Sequence, residues 1–170
     1  MVNILALADN VSEQSYSKNM LQLIRSVKST SNKSLIVSLN KSYKSILYKF
    51  ENENLNPDNF VFIDAITLTV MKPTSSDKCT FLSSPDNTKE LFESIIKTIK
   101  TMSVSVVIFD SISSLSTYKN IYEVIDFIGK LTGACYVLGC SVIFFCLDNE
   151  ENERIIQHLG MHVDKIYDAK

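Results

Sequence analysis

Short apolar runs alternate with amphipathic stretches along the chain. The runs are rich in β-branched and aromatic residues, and most of them end on a polar residue. Such runs predict strands that are covered on both faces of a sheet, because a strand of that kind has no solvent face to alternate with. They lie at residues 2–8, 34–39, 60–64, 104–109 and 142–147, with a shorter closing run at 165–167.

Apolar residues at helical spacing lie between these runs. The clearest stripe is Leu91, Phe92, Ile95, Ile96 and Ile99, preceded by Asn87 as a helix cap. Similar stripes predict helices around residues 20–27, 46–50, 122–131 and 155–159. A connection rich in Ser, Thr and Pro, residues 65–87, contains a short predicted strand at 79–82. Strands and helices in this alternation predict an α/β fold with a mainly parallel sheet.

Composition narrows the class of protein. The 170 residues are 45% hydrophobic and 21% charged, which is typical of a globular chain. We expect one domain over residues 1–170. No apolar segment is long enough to predict a membrane span. Met1 is followed at once by an apolar run with no basic region before it, so we expect a cytoplasmic protein without an export signal.

The charge distribution and the spacing of possible metal ligands bear on nucleic-acid, membrane and metal binding. A net charge of −2 does not favour nucleic-acid or membrane binding over the whole surface. Residues 1–50 are mainly basic and the C-terminal tail is acidic, which could support head-to-tail self-association or simply reflect solvated helix faces. Nucleic-acid binding by this basic N-terminal third of the chain is a further alternative, and it predicts an affinity that falls steeply with salt. The cysteines have no zinc spacing, and His158 and His162 have no third ligand, so no metal site is expected.

The most specific motif is the run Val106–Ser111, in which four apolar residues lead to Asp110 and Ser111. It resembles a Walker B strand, and residues 63–66, 82–85 and 159–166 also resemble stretches of the RecA/KaiC-like ATPase core. The order of elements is similar to that of the small archaeal KaiC-like proteins. The resemblance implies a three-layer RecA-like domain in which helices flank a mainly parallel central sheet.

The same resemblance exposes what the sequence lacks. In that family a glycine-rich Walker A loop wraps the phosphates and supplies a lysine, but residues 9–19 here contain no glycine. Lys18 could be a relic of that lysine, yet Asn19 follows it where a Mg²⁺-binding hydroxyl is required. The bulky Tyr16 hinders close backbone approach to a phosphate. After the second strand, where KaiC-like proteins have acidic residues, the sequence has Asn40 and Lys41.

Two functions follow as hypotheses. The first is a non-catalytic interaction or regulatory module, of the signalling kind, that lacks a functional ATP site and works through a protein partner or self-association. It requires no cofactor. The alternative is a nucleotide-binding protein or weak ATPase that uses ATP and Mg²⁺ in an altered mode at Lys18, Asp110 and Ser111. Asp110 could equally cap the turn that follows it or bond to backbone amides.

Overall fold

A parallel sheet lies at the centre of the computed structural model, which describes residues 4–9, 13–27, 32–147 and 152–168. Its seven strands have the order β4-β3-β2-β5-β6-β1-β7, and all of the neighbouring pairs are parallel. The strands are β1 (Ile4–Asp9), β2 (Lys33–Ser38), β3 (Phe60–Asp64), β4 (Cys79–Phe81), β5 (Val104–Asp110), β6 (Ser141–Leu147) and β7 (Lys165–Asp168). The predicted strands, including the short one near residue 79, are confirmed.

Helices connect the strands. They are α1 (Glu13–Val27), α2 (Tyr43–Asn52), α3 (Thr67–Val70), α4 (Thr88–Met102), α5 (Ile112–Ser116), α6 (Ile121–Val137) and α7 (Glu153–Leu159), with a 3₁₀ turn at Pro57–Asn59. The sequence did not predict α3 and α5, because a helix of four or five residues is too short to show a periodic stripe. No helix in the described ranges is both long and apolar enough to span a membrane.

Side-chain caps fix where the longer helices begin. Asn87 accepts a hydrogen bond from the Glu90 N–H at 3.2 Å, as the sequence predicted for α4. At α6, Asn120 and Glu123 form a reciprocal capping box in which each side chain bonds to the backbone of the other. These caps satisfy amide groups that the first helical turn leaves unpaired.

The core has two layers, one on each face of the sheet. Along β2, Leu35 and Val37 pack in the layer formed with α4 to α7, while Ile36 packs in the layer formed with α1 and α2. This alternation follows from the two-residue period of a strand. The arrangement is a three-layer α/β fold, which confirms the predicted fold class. The aromatic residues predicted for the core are buried there, namely Phe109, Phe127, Phe144 and Phe145.

Candidate functional site

Asp110 ends the central strand β5 and is completely buried. The carboxyl ends of parallel strands form the edge at which open α/β sheets bind ligands. Its backbone carbonyl accepts a hydrogen bond of 2.9 Å from the Leu39 N–H, which joins the segments that follow β5 and β2. A buried carboxylate is costly unless it is paired, so the groups around Asp110 decide what this place can bind.

Tyr16 is the first of these groups. Its hydroxyl donates a hydrogen bond of 2.5 Å to Asp110 Oδ1. The side chain lies on α1, is only 6% exposed, and packs edge-on against Phe145 with 5.5 Å between ring centroids. Burial, reinforced by the negative charge of Asp110, raises the pKa of Tyr16 well above its usual value. The hydroxyl therefore keeps its proton and acts as the donor.

Lys41 is the second group. Its Nζ lies 3.9 Å from Asp110 Oδ2 and 5.6 Å from the centroid of the Tyr16 ring. The turn after β2 holds the residue in place, because the Lys41 N–H donates to Ser38 Oγ at 3.1 Å. A separation of 3.9 Å is too long for a hydrogen bond, and Oδ2 has no hydrogen-bond partner among the described residues. Lys41 therefore compensates the charge of Asp110 through space.

The space beside Asp110 and Lys41 is very small. A cavity of about 20 Å³ borders Asp110 and Lys41 and is otherwise lined mainly by apolar residues of α1 and α2, such as Ile24 and Phe50. It has room for about one water molecule. Sites for nucleotides and similar ligands measure roughly 300–1,000 Å³. The described cavity beside Asp110 is therefore too small to hold a nucleotide.

A fold of this type implies ATP and Mg²⁺, and the groups around Asp110 do not fit Mg²⁺. One oxygen of Asp110 accepts the Tyr16 hydroxyl, and the other faces an ammonium group that repels a cation. In the parts of the chain that the structure describes, no cluster of three His, Cys, Asp or Glu residues could hold a metal ion. We therefore derive no phosphoryl-transfer step from this site.

Of the three predicted site residues, Asp110 and Ser111 are adjacent at the end of β5 and buried, whereas Lys18 is exposed. Lys18 lies on α1, and helical spacing turns it to a different face from Tyr16, two residues earlier. Ser111 caps α5, and its Oγ accepts a hydrogen bond of 3.1 Å from the Ser114 N–H. The side chains that the structure records against Asp110 are those of Tyr16 and Lys41.

Most of the glycine-free segment, residues 9–19, is helical in the structure. Residues 13–19 belong to α1, whereas residues 10–12 lie outside the described part of the chain. The sequence identified Tyr16 as an obstacle and Lys41 as a replacement for acidic residues, but it missed their contact with Asp110. One signal was available, since a lysine after β2 together with an aspartate after β5 places opposite charges at the same sheet edge.

Comparison with known proteins gives two findings. A family model described as "ATPase: KaiC" matches residues 19–165. Among solved structures, the chain is similar to the KaiC-like protein PH0186 of the hyperthermophilic archaeon Pyrococcus horikoshii OT3, with a TM-score of 0.63 and 12% identity. That match covers 98% of this chain and 71% of the other, and at this identity it establishes the fold alone. None of the curated proteins compared with the sequence matches it.

Proposed function

This chain belongs to the KaiC family of ATPases, and we propose that it is a non-catalytic interaction or regulatory member whose ATP site is closed by its own side chains. The observation that carries the proposal is the hydrogen bond from Tyr16 to the fully buried Asp110. A tyrosine hydroxyl and a lysine ammonium supply the hydrogen bond and the positive charge that a ligand would otherwise provide. The carboxylate is compensated without a bound cation such as Mg²⁺.

The requirements of phosphoryl transfer support the same proposal. This reaction needs a phosphate cradle, a Mg²⁺ site and a group that positions the attacking nucleophile, all acting together. Residues 9–19 contain no glycine for a cradle, and Lys41 lies where the resemblance to KaiC-like proteins implies an acidic residue. A retained architecture that lacks these parts is suited to protein contacts, such as self-association or pairing with an active relative.

The compartment is part of the proposal. All four cysteines are buried, and Cys79, Cys135 and Cys140 are thiols that form no disulfide within the described residues. Thiols persist in this state in a reducing environment, which supports a cytoplasmic location. Burial raises the pKa of Cys79 above its ordinary value, so this thiol is poorly reactive.

Phosphate release from ATP and Mg²⁺ tests the absence of catalysis. We expect the native protein to release no more phosphate than buffer does, and Asp110→Asn to behave identically, because Asp110 takes part in no reaction. The matched control is Asp126→Asn, which changes a carboxylate on the surface of α6 that is 61% exposed. Phosphate release that Asp110→Asn loses and Asp126→Asn retains would refute the proposal and favour the altered-site ATPase.

A further inference from the structure

A groove lies at the β4 edge of the sheet, and Asp110 is not among its lining residues. It has a volume of about 570 Å³ and lies between the first turns of α2, the end of α3, residues 71–76 and Phe81 of β4. We call it the edge groove. Its volume is in the range of sites that bind ligands or side chains of a partner, roughly 300–1,000 Å³.

Apolar side chains line much of the edge groove. The Tyr43 ring packs on Phe62 and Phe81, with centroids 4.9 and 6.2 Å apart, and so forms a fixed part of the wall. Val70 and Met71, which also line the groove, are 74% and 64% exposed. Large apolar side chains that are adjacent and this exposed are typical of an interaction surface.

The charges of the edge groove have one sign. Lys44 and Lys72 are its charged lining residues, and neither forms an ion pair within the described residues. Asp64, at the end of β3 nearby, is buried, and its carboxylate accepts hydrogen bonds from the Tyr43, Ile66 and Thr67 N–H groups. Its charge is therefore used inside the fold, and the lysines remain available to a ligand.

We propose that the edge groove binds an acidic segment of a partner protein in which a large apolar side chain is flanked by carboxylates. The apolar side chain would cover Val70 and Met71, and the carboxylates would pair with Lys44 and Lys72. Two lysines and a tyrosine ring already stacked on its neighbours make a poor nucleic-acid site, which needs many phosphate contacts or free aromatic faces. The inference rests on the proposed interaction role and does not depend on the closed ATP site.

Peptide binding tests the inference directly. A library of fluorescein-labelled peptides, in which Leu or Phe is flanked by Asp or Glu, is titrated with the protein and followed by fluorescence anisotropy. A second library replaces each acidic residue with Lys, and a third replaces each apolar residue with Ser. We expect binding by members of the first library alone. Failure of all its members to bind, or equal binding by the Lys library, would overturn the proposal.

Matched variants locate the binding. Lys44→Glu lies in the first turn of α2, and its control Lys89→Glu lies in the first turn of α4 at an exposed position. We expect Lys44→Glu to weaken binding roughly fivefold or more, since it reverses a charge at the site, and Lys89→Glu to leave it unchanged. Val70→Ser should also weaken binding, whereas Val137→Ser, at a residue that is 83% exposed, should not. Equal effects within either pair would contradict the assignment.

Two further measurements separate this inference from the proposed function. Sedimentation of the native protein and of Val70→Ser shows whether the edge groove joins two copies of the chain. If the native protein is a dimer and Val70→Ser is a monomer, the proposal that the groove binds a separate partner is overturned. Phosphate release by Lys44→Glu shows whether the ATP site is affected. If Lys44→Glu loses peptide binding and still releases no phosphate, the proposal of a closed ATP site is unaffected. The two proposals can therefore fail independently.

Discussion

At the scale of single residues, the proposed closure of the ATP site depends on how a buried carboxylate is compensated. Removing one partner of a buried, hydrogen-bonded charge leaves the other uncompensated, which costs more than the interaction itself contributes. Asp110 has one hydrogen-bonded oxygen and one oxygen near a lysine. Tyr16 therefore contributes to stability as well as filling the space beside Asp110.

We predict that Tyr16→Phe lowers the free energy of unfolding by about 1–3 kcal/mol at neutral pH, because Asp110 loses its hydrogen-bond donor. Urea denaturation measures the change. The matched control is Tyr48→Phe, which removes the same hydroxyl from a ring that is 65% exposed. Equal stability of the two variants would show that the bond to Asp110 contributes nothing.

The difference in stability between the native protein and Tyr16→Phe should depend on pH. The pKa of Tyr16 is raised in the folded protein, so the folded state holds its proton when an unfolded tyrosine, with a pKa of about 10, has lost its own. The contribution is then fully present below about pH 10 and is lost as the pH rises toward the folded pKa. The stability difference between the native protein and Tyr16→Phe should shrink above pH 10, and a constant difference would contradict the raised pKa.

At the scale of elements, Ser111 shows how a residue that looks functional can be structural. It follows Asp110 where a nucleotide-binding protein could use a hydroxyl, yet its Oγ accepts the Ser114 N–H and lies 2.9 Å from Ser114 Oγ. A second contact joins this turn to the segment after β2, because Asn40 Nδ2 donates to Ser114 Oγ at 3.2 Å. The hydroxyl belongs to the cap of α5.

We predict that Ser111→Ala lowers the free energy of unfolding by about 1 kcal/mol, the usual cost of losing an N-cap. Urea denaturation again provides the measurement. Ser45→Ala is the control, because that serine is exposed inside α2 and alanine is favoured in a helix. A Ser111→Ala protein that is as stable as the native one would argue against capping as its role.

Element type was predictable where a segment was long and buried, as for β5 and α4. Such segments carry a full apolar run or a full stripe, and burial then enforces the pattern. The short helices α3 and α5 were missed because their start and end depend on local hydrogen bonds. In α3, for example, the Thr67 N–H donates to Asp64 Oδ1 at 2.8 Å, a contact that no periodicity reveals.

At the scale of the whole molecule, the sheet order creates contacts that sequence reasoning could not reach. Tyr16 and Asp110 are 94 positions apart in the chain. The strand β6 lies between β1 and β5 in the sheet, so the helix after β1 has to pack across the sheet to meet the end of β5. Residue types show that residues 9–19 contain no glycine, but only the packing of α1 places Tyr16 against Asp110. The edge groove likewise depends on how α2 and residues 71–76 meet.

The most direct test of the closed site is a calorimetric titration of the native protein with ATP, with and without Mg²⁺, at concentrations that detect a millimolar interaction. Asp110→Ala serves as the comparison, and circular dichroism checks that it folds. We predict no heat of binding for the native protein under either condition, since Tyr16 and Lys41 occupy the surroundings of Asp110. Mg²⁺-dependent binding by the native protein that Asp110→Ala abolishes would contradict the account and establish a rebuilt nucleotide site.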